Sequence, residues 1–92
     1  MTDKDELLKL RYDILYKVAV EVKHELRDAY FKFPRTSANN HEAYAVLLEE
    51  TDELWDEIKK KDPDQEKVRN EAIQVAAMAI RMIVDMEIRN TQ

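Results

Sequence analysis

Prolines at 34 and 63 punctuate a glycine-free chain of 92 residues whose apolar side chains recur at helical spacing, which leaves an all-α fold of three long helices as the expectation. The first helix reads from 3 to 33. Asp3 and Glu6 form a capping-box pair at its start, Leu7, Ile14, Leu15, Val18, Val22, Leu26, Ala29 and Phe33 follow at helical spacing, and Pro34 stops it. About 30 residues at 1.5 Å rise make roughly 45 Å, much longer than the second helix, so this helix calls for partners beyond its own chain or for a break within it. The loop PRTSANN comes next, and Asn39 with Glu42, or Asn40, caps a second helix from 40 to about 60, where Lys59, Lys60 and Lys61 suit a helix C-terminus. Asp62-Pro63-Asp64-Gln65 is a compact start signal, with Asp62 as N-cap, Pro63 at the first helical position and Gln65 reaching back, for a third helix from 63 to about 88.

Between Ala72 and Met86 the third helix is apolar on most of its circumference, including Ile73, Val75, Met78, Ile80, Met82 and Ile83. A helix that apolar has to be surrounded, and two partner helices from its own chain hardly suffice. The expected architecture is therefore one domain, residues 1–92, whose long helices pack as an antiparallel bundle completed by oligomerisation, as a homodimer or homotetramer.

Composition removes several classes of function. There is no cysteine for a disulfide, zinc or iron-sulfur site, and no glycine for a phosphate-binding loop or dinucleotide fingerprint. No run of 18 apolar residues exists and MTDKDE does not open a signal peptide, so a soluble cytoplasmic protein without membrane partners is expected. A formal net charge of −5 argues against nucleic-acid binding, which needs a positive surface, and suits a protein that holds divalent cations.

The strongest chemical signal is HEAYAVLLEETDELWDEI, residues 41–58, with seven carboxylates and no lysine or arginine. Glu49, Glu50, Asp52, Glu53, Asp56 and Glu57 make six like-charge pairs at i,i+3 or i,i+4, each unfavourable by roughly 0.2–0.5 kcal/mol in an isolated helix. At about 100° per residue, Glu50 falls inside the apolar arc of Val46, Ala43, Leu54, Leu47, Ile58, Trp55 and Leu48. Glu53 flanks it, while Asp52 and Asp56 point away. An unpaired buried carboxylate costs several kcal/mol or takes up a proton, so Glu50 and Glu53 are half of a metal site or half of a buried ion-pair network. Tyr44 and Trp55 on the apolar arc are expected to pack in the core.

The polar residues of the third helix, Lys67, Asn70, Glu71, Gln74, Arg81 and Asp85, fall within one arc of roughly 100°, and Arg81 with Asp85 is read as an i,i+4 pair facing water. Glu50-x-x-Glu53, seventeen intervening residues and Glu71-x-x-Gln74 thus set two polar pairs at similar height across a helical hairpin. Oxygen ligands without His or Cys select a hard cation, Mg²⁺ or Mn²⁺.

This arrangement resembles the MazG-like, all-α nucleoside triphosphate pyrophosphohydrolases, which carry an EExxE stretch on one helix and ExxD on the next. Glu49-Glu50-Thr51-Asp52-Glu53 matches the first half, and Glu71-Ala72-Ile73-Gln74 matches the second except at its last position. The likeness covers residues 41 to about 86 and is to a small single-domain branch common in bacteria and phages. It implies Glu50, Glu53 and Glu71 as ligands of Mg²⁺, or Mn²⁺, with Gln74 in the fourth position. Glu49 would orient the attacking water or a second metal, and Lys67 and Arg81 are candidates to meet substrate phosphate. The implied reaction converts a nucleoside triphosphate to monophosphate and pyrophosphate. Gln74 brings an oxygen without charge and cannot act as a base, which keeps a second expectation in play: an oligomeric helical module that binds metal or nucleotide with weakened catalysis.

Overall fold

The computed structural model describes residues 3–91, and these form three α-helices: α1 (Lys4–Lys32), α2 (Asn40–Ile58) and α3 (Gln65–Asn90). Local chemistry sets most of their ends. The Asp3 carboxylate accepts from the Glu6 backbone N–H at 2.8 Å, leaving Asp5 and Glu6 in the first turn where the helix dipole favours acids. α1 then runs unbroken for 29 residues. It ends because Pro34 pushes Phe33 out of the helical region, to φ −134° and ψ 76°. Asn39 caps α2, its side-chain oxygen taking the Glu42 N–H at 2.9 Å.

Two boundaries differ from the sequence expectation. α3 is capped by Asp64, not Asp62, because the Asp64 carboxylate accepts from the N–H groups of both Glu66 and Lys67 and so satisfies two orphan donors at once. Pro63 accordingly precedes the cap. α2 closes at Ile58, and the lysines that follow fold back onto its acids: Lys59 reaches Asp56 and Lys60 reaches Glu57, each at 2.9 Å.

α3 is the hub. It packs against both α1 and α2, while α1 and α2 do not pack on each other. The core is small: Val22 and Leu26 of α1 meet Ala77 and Met78 of α3, with Val18, Ala29, Tyr30, Leu47, Ile73 and Ala76 around them. Ala77 is wholly buried, and its small side chain is what lets the helix surfaces approach there. Arg69 of α3 also pairs with Glu21 of α1 on the surface. The radius of gyration, 15.8 Å, exceeds the roughly 12 Å of a compact chain this long. Tyr44 and Trp55, expected in the core, are 55% and 58% exposed, because neither α1 nor α3 covers that side of α2. No helix among the described residues is long and apolar enough to cross a membrane.

The connection from α1 to α2 is held down by α3. Asp85, read from sequence as facing water, is 2% exposed. Its Oδ2 accepts from the Ser37 backbone N–H at 3.0 Å and from the Ser37 hydroxyl at 2.8 Å. Arg89 donates to the Ser37 carbonyl at 2.8 Å and to Oδ1 of Asn40 at 2.6 Å. Arg81 donates to the carbonyls of Phe33 and Arg35 and lies over the Tyr30 ring, 5.2 Å from its centre. Arg81, Asp85 and Arg89, spaced four apart on one face, thus clamp a loop that has no secondary structure of its own. Replacing Asp85 with Ala removes the shared acceptor of two part-buried Ser37 donors, and urea denaturation is expected to show a loss of about 1–3 kcal/mol, with Asp85→Asn losing less because its amide oxygen still accepts.

Candidate metal centre

Glu50 and Glu53 leave α2 one turn apart, and Glu71 comes from the second turn of α3. One carboxylate oxygen from each lies within 4.8 Å of the other two. Two ligands bonded to one Mg²⁺ at 2.0–2.1 Å sit at most about 4.2 Å apart, so the group is closed to within a small side-chain adjustment. Glu50 and Glu71 are half-buried and Glu53 is exposed, in line with the inward and flanking positions read from the helical wheel.

The electrostatics are unfavourable as they stand. Burial pushes the Glu50 carboxyl up to about 7, helped by the charge of Glu53, a hydrogen bond shared with Glu53, and the charges of Glu71 and Glu49. Burial raises Glu71 too, with the charges of Glu53 and Glu57 adding to it. Oε2 of Glu71 is buried and receives no hydrogen bond. An orphaned carboxylate oxygen is costly, and among the described residues no lysine or arginine makes an ion pair with any of the three carboxylates. A divalent cation would fit this donor set, replacing mutual repulsion with shared attraction. An all-oxygen donor set suits Mg²⁺ or Mn²⁺ and offers nothing to softer metals.

The remaining sequence-predicted residues are distributed around this cluster. Glu49, Glu50 and Gln74 line a cavity of about 700 Å³ that extends along α3 past Met78 and Met82 to Arg81 and Asp85, and is walled on its other sides by Ala29, Phe33 and Pro34 and by Ala43 and Val46. Gln74 also borders a second, smaller groove with Glu21, Glu25 and Arg69. Glu49 is exposed on the rim. Arg81 lines the cavity, though its guanidinium is engaged by the loop carbonyls. Lys67, in the first turn of α3, lies outside the cavity lining and is exposed. Asp52 and Asp56 stay in solvent, as read from the sequence.

Sequence reasoning missed Glu57, whose half-buried carboxylate raises Glu71, and missed that Ser37 and Asp85 shape the far end of the cavity. The four-residue spacing of Glu53 to Glu57 and of Arg81, Asp85 and Arg89 carried that information, but only the tertiary packing shows which of these side chains leave the solvent. Comparisons of the chain with protein-family models, with curated proteins and with solved structures find no match.

The raised carboxyls fix the sign of a pH effect. Glu50 holds its proton up to about pH 7 when folded and releases it near 4.5 when unfolded, so the folded state binds more protons between those values. That contribution to stability is full below about 4.5 and is lost as pH rises through about 7. The melting temperature of the metal-free protein is expected to carry a component that falls between pH 5 and 8 and disappears in Glu50→Gln. Saturating Mn²⁺, which competes with the proton, is expected to raise the melting temperature more at pH 8 than at pH 6.

Proposed function

We propose that this protein is a Mg²⁺-dependent nucleoside triphosphate pyrophosphohydrolase of the MazG-like kind, with Mn²⁺ able to replace Mg²⁺. The observation that carries the reading is the convergence of Glu50, Glu53 and Glu71, with an unsatisfied buried oxygen on Glu71, beside a cavity that includes Glu50 and Gln74. The match of Glu49-Glu50-Thr51-Asp52-Glu53 to an EExxE stretch, and of Glu71 to the first position of ExxD, supports it.

When bound, the cation supplies charge neutralisation for the polyphosphate and makes water acidic enough to attack near neutral pH. The chain's own residues do the rest. Glu50, Glu53 and Glu71 would hold the cation as carboxylates. Gln74 offers a neutral oxygen where a charged ligand would bind harder. Glu49, exposed on the rim beside Glu50, orients the attacking water and takes its proton. Water adds to the phosphorus next to the α–β bridge, the bridging P–O bond breaks, and a monophosphate and pyrophosphate leave. The cavity beyond Gln74 receives the nucleoside of an NTP or dNTP, with Arg81 shaping its far end. Nucleic acid is not the substrate in this reading, given the net charge of −5. The working unit is a homodimer or homotetramer, and the nucleotide pool of the cytoplasm is where such a substrate is met.

Incubation with a panel of canonical and modified nucleoside triphosphates plus Mg²⁺ or Mn²⁺ is expected to release monophosphate and pyrophosphate. Glu50→Gln and Glu71→Gln are each expected to lower kcat/KM by at least about 100-fold. Gln74→Asp, which restores a fourth charge, is expected to tighten Mn²⁺ binding about tenfold by calorimetry. Metal-dependent nucleotide binding without product would assign the chain to the other reading that Gln74 favours, a binding module with weakened catalysis. No metal effect on melting temperature and no product would overturn both.

A further inference from the structure

Asp85 is the one polar or charged side chain buried among the described residues, at 2% exposure, and only half of its carboxylate is used. Both hydrogen bonds it accepts, from the backbone N–H and the hydroxyl of Ser37, end on Oδ2. Its contact with Arg81, at 4.0 Å, is made by the same oxygen. Oδ1 accepts nothing from the described residues, and it is not sealed in either, because the closed-off side-chain oxygens without a partner belong to Tyr30 and Glu71. Asp85 lines the cavity of about 700 Å³ that also takes in Glu50 and Gln74. Its free oxygen therefore faces that space.

The surroundings say what completes it. Asp85 belongs to no group of carboxylates that could share a cation, and its charge repels a phosphate, so the missing partner of this buried acceptor is a hydrogen-bond donor. The cavity wall beside it carries Met78 and Met82, one turn apart on α3, together with Phe33. Thioethers pack favourably on flat aromatic rings. Asp85 stands eleven residues beyond Gln74, about 16 Å along the helix at 1.5 Å per residue. An extended nucleotide whose α-phosphate lies beside the acidic cluster covers that length with the edge of its base. We propose that Asp85 selects the base of the substrate: Oδ1 accepts an N–H of an exocyclic amine, as in cytosine or adenine, and rejects the keto counterparts uracil and hypoxanthine. This rests on the reading of the cavity as the seat of a nucleoside triphosphate. A keto base sets a carbonyl lone pair against the carboxylate where the amine would donate, and a site built to pair with a donor discriminates strongly against an analogue that lacks it.

The test compares CTP with UTP and ATP with ITP in the presence of Mg²⁺. In the pair that the protein binds more tightly, the amino member is expected to have the higher kcat/KM by at least about tenfold. Its dimethylamino analogue, which keeps the ring and has no amine N–H, is expected to fall to the level of the keto member on the wild-type chain. Asp85→Asn is expected to invert the preference. Its amide oxygen has to stay on the Ser37 N–H, which turns the amide NH₂ toward the cavity as a donor that suits a carbonyl and opposes an amine. Calorimetry with the same nucleotides and Mn²⁺ reads the preference without turnover. Binding that favours the amine and gives no product would uphold this assignment and overturn the hydrolase reading. Product released without preference for the amine, or a dimethylamino analogue accepted as well as its parent, would overturn the role of Asp85 and leave the hydrolase reading standing. So would a folded Asp85→Asn variant that keeps the wild-type preference. No binding of any of these nucleotides would overturn both.

Discussion

α1 and α2 make no close backbone approach to each other, so each is placed by what it makes with α3. The small side chain of Ala77, with no exposed surface at all, sets how close α1 can come, and Met78 beside it fills the irregular space against Val22 and Leu26. Because α3 is shared, its apolar circumference and its polar stripe serve different neighbours. The apolar side closes the core, and the stripe carries Glu71 and Gln74 toward α2 and Arg81, Asp85 and Arg89 toward the loop.

That division explains how a chain with five buried apolar residues among those described keeps a defined cavity. The clamp on the 33–39 loop is built from charge-assisted hydrogen bonds, with Ser37 taking part as both donor and acceptor. Such bonds are stronger than neutral ones, and here they substitute for apolar burial in holding one wall of the cavity. Tyr30 shows the cost of the arrangement. Its hydroxyl is buried without a partner, and burial together with the nearby Asp85 charge raises its pKa, an effect that Arg81 partly offsets.

The acidic cluster and the open half of α1 are two surfaces left incomplete by the same chain. In each, side chains are brought together at a cost that nothing in the monomer offsets. Glu50, Glu53 and Glu71 bring carboxylate oxygens within 4.8 Å of one another, and the first half of α1 leaves large apolar side chains in solvent.

The helices and their ends were legible in the sequence wherever one residue type had one physical option: Asp3 and Asn39 cap because their oxygens reach the third N–H, and Pro34 ends α1 because the residue before it cannot stay helical. Where two acids competed, as at Asp62 and Asp64, spacing did not decide, and the bonds to Glu66 and Lys67 did. The inward turn of Glu50 was readable from a single helical wheel, since the arc of Val46 and Leu54 leaves it no other side. Its meeting with Glu71 was expected from matching heights across the hairpin, and the structure gives it a distance. The wheel could not tell which apolar faces the chain covers, so Tyr44 and Trp55 were placed in a core that does not reach them. Asp85 reads as a surface acid for the opposite reason. Periodicity records which side of one helix a residue takes, and only the packing of other elements decides whether that side meets protein or water.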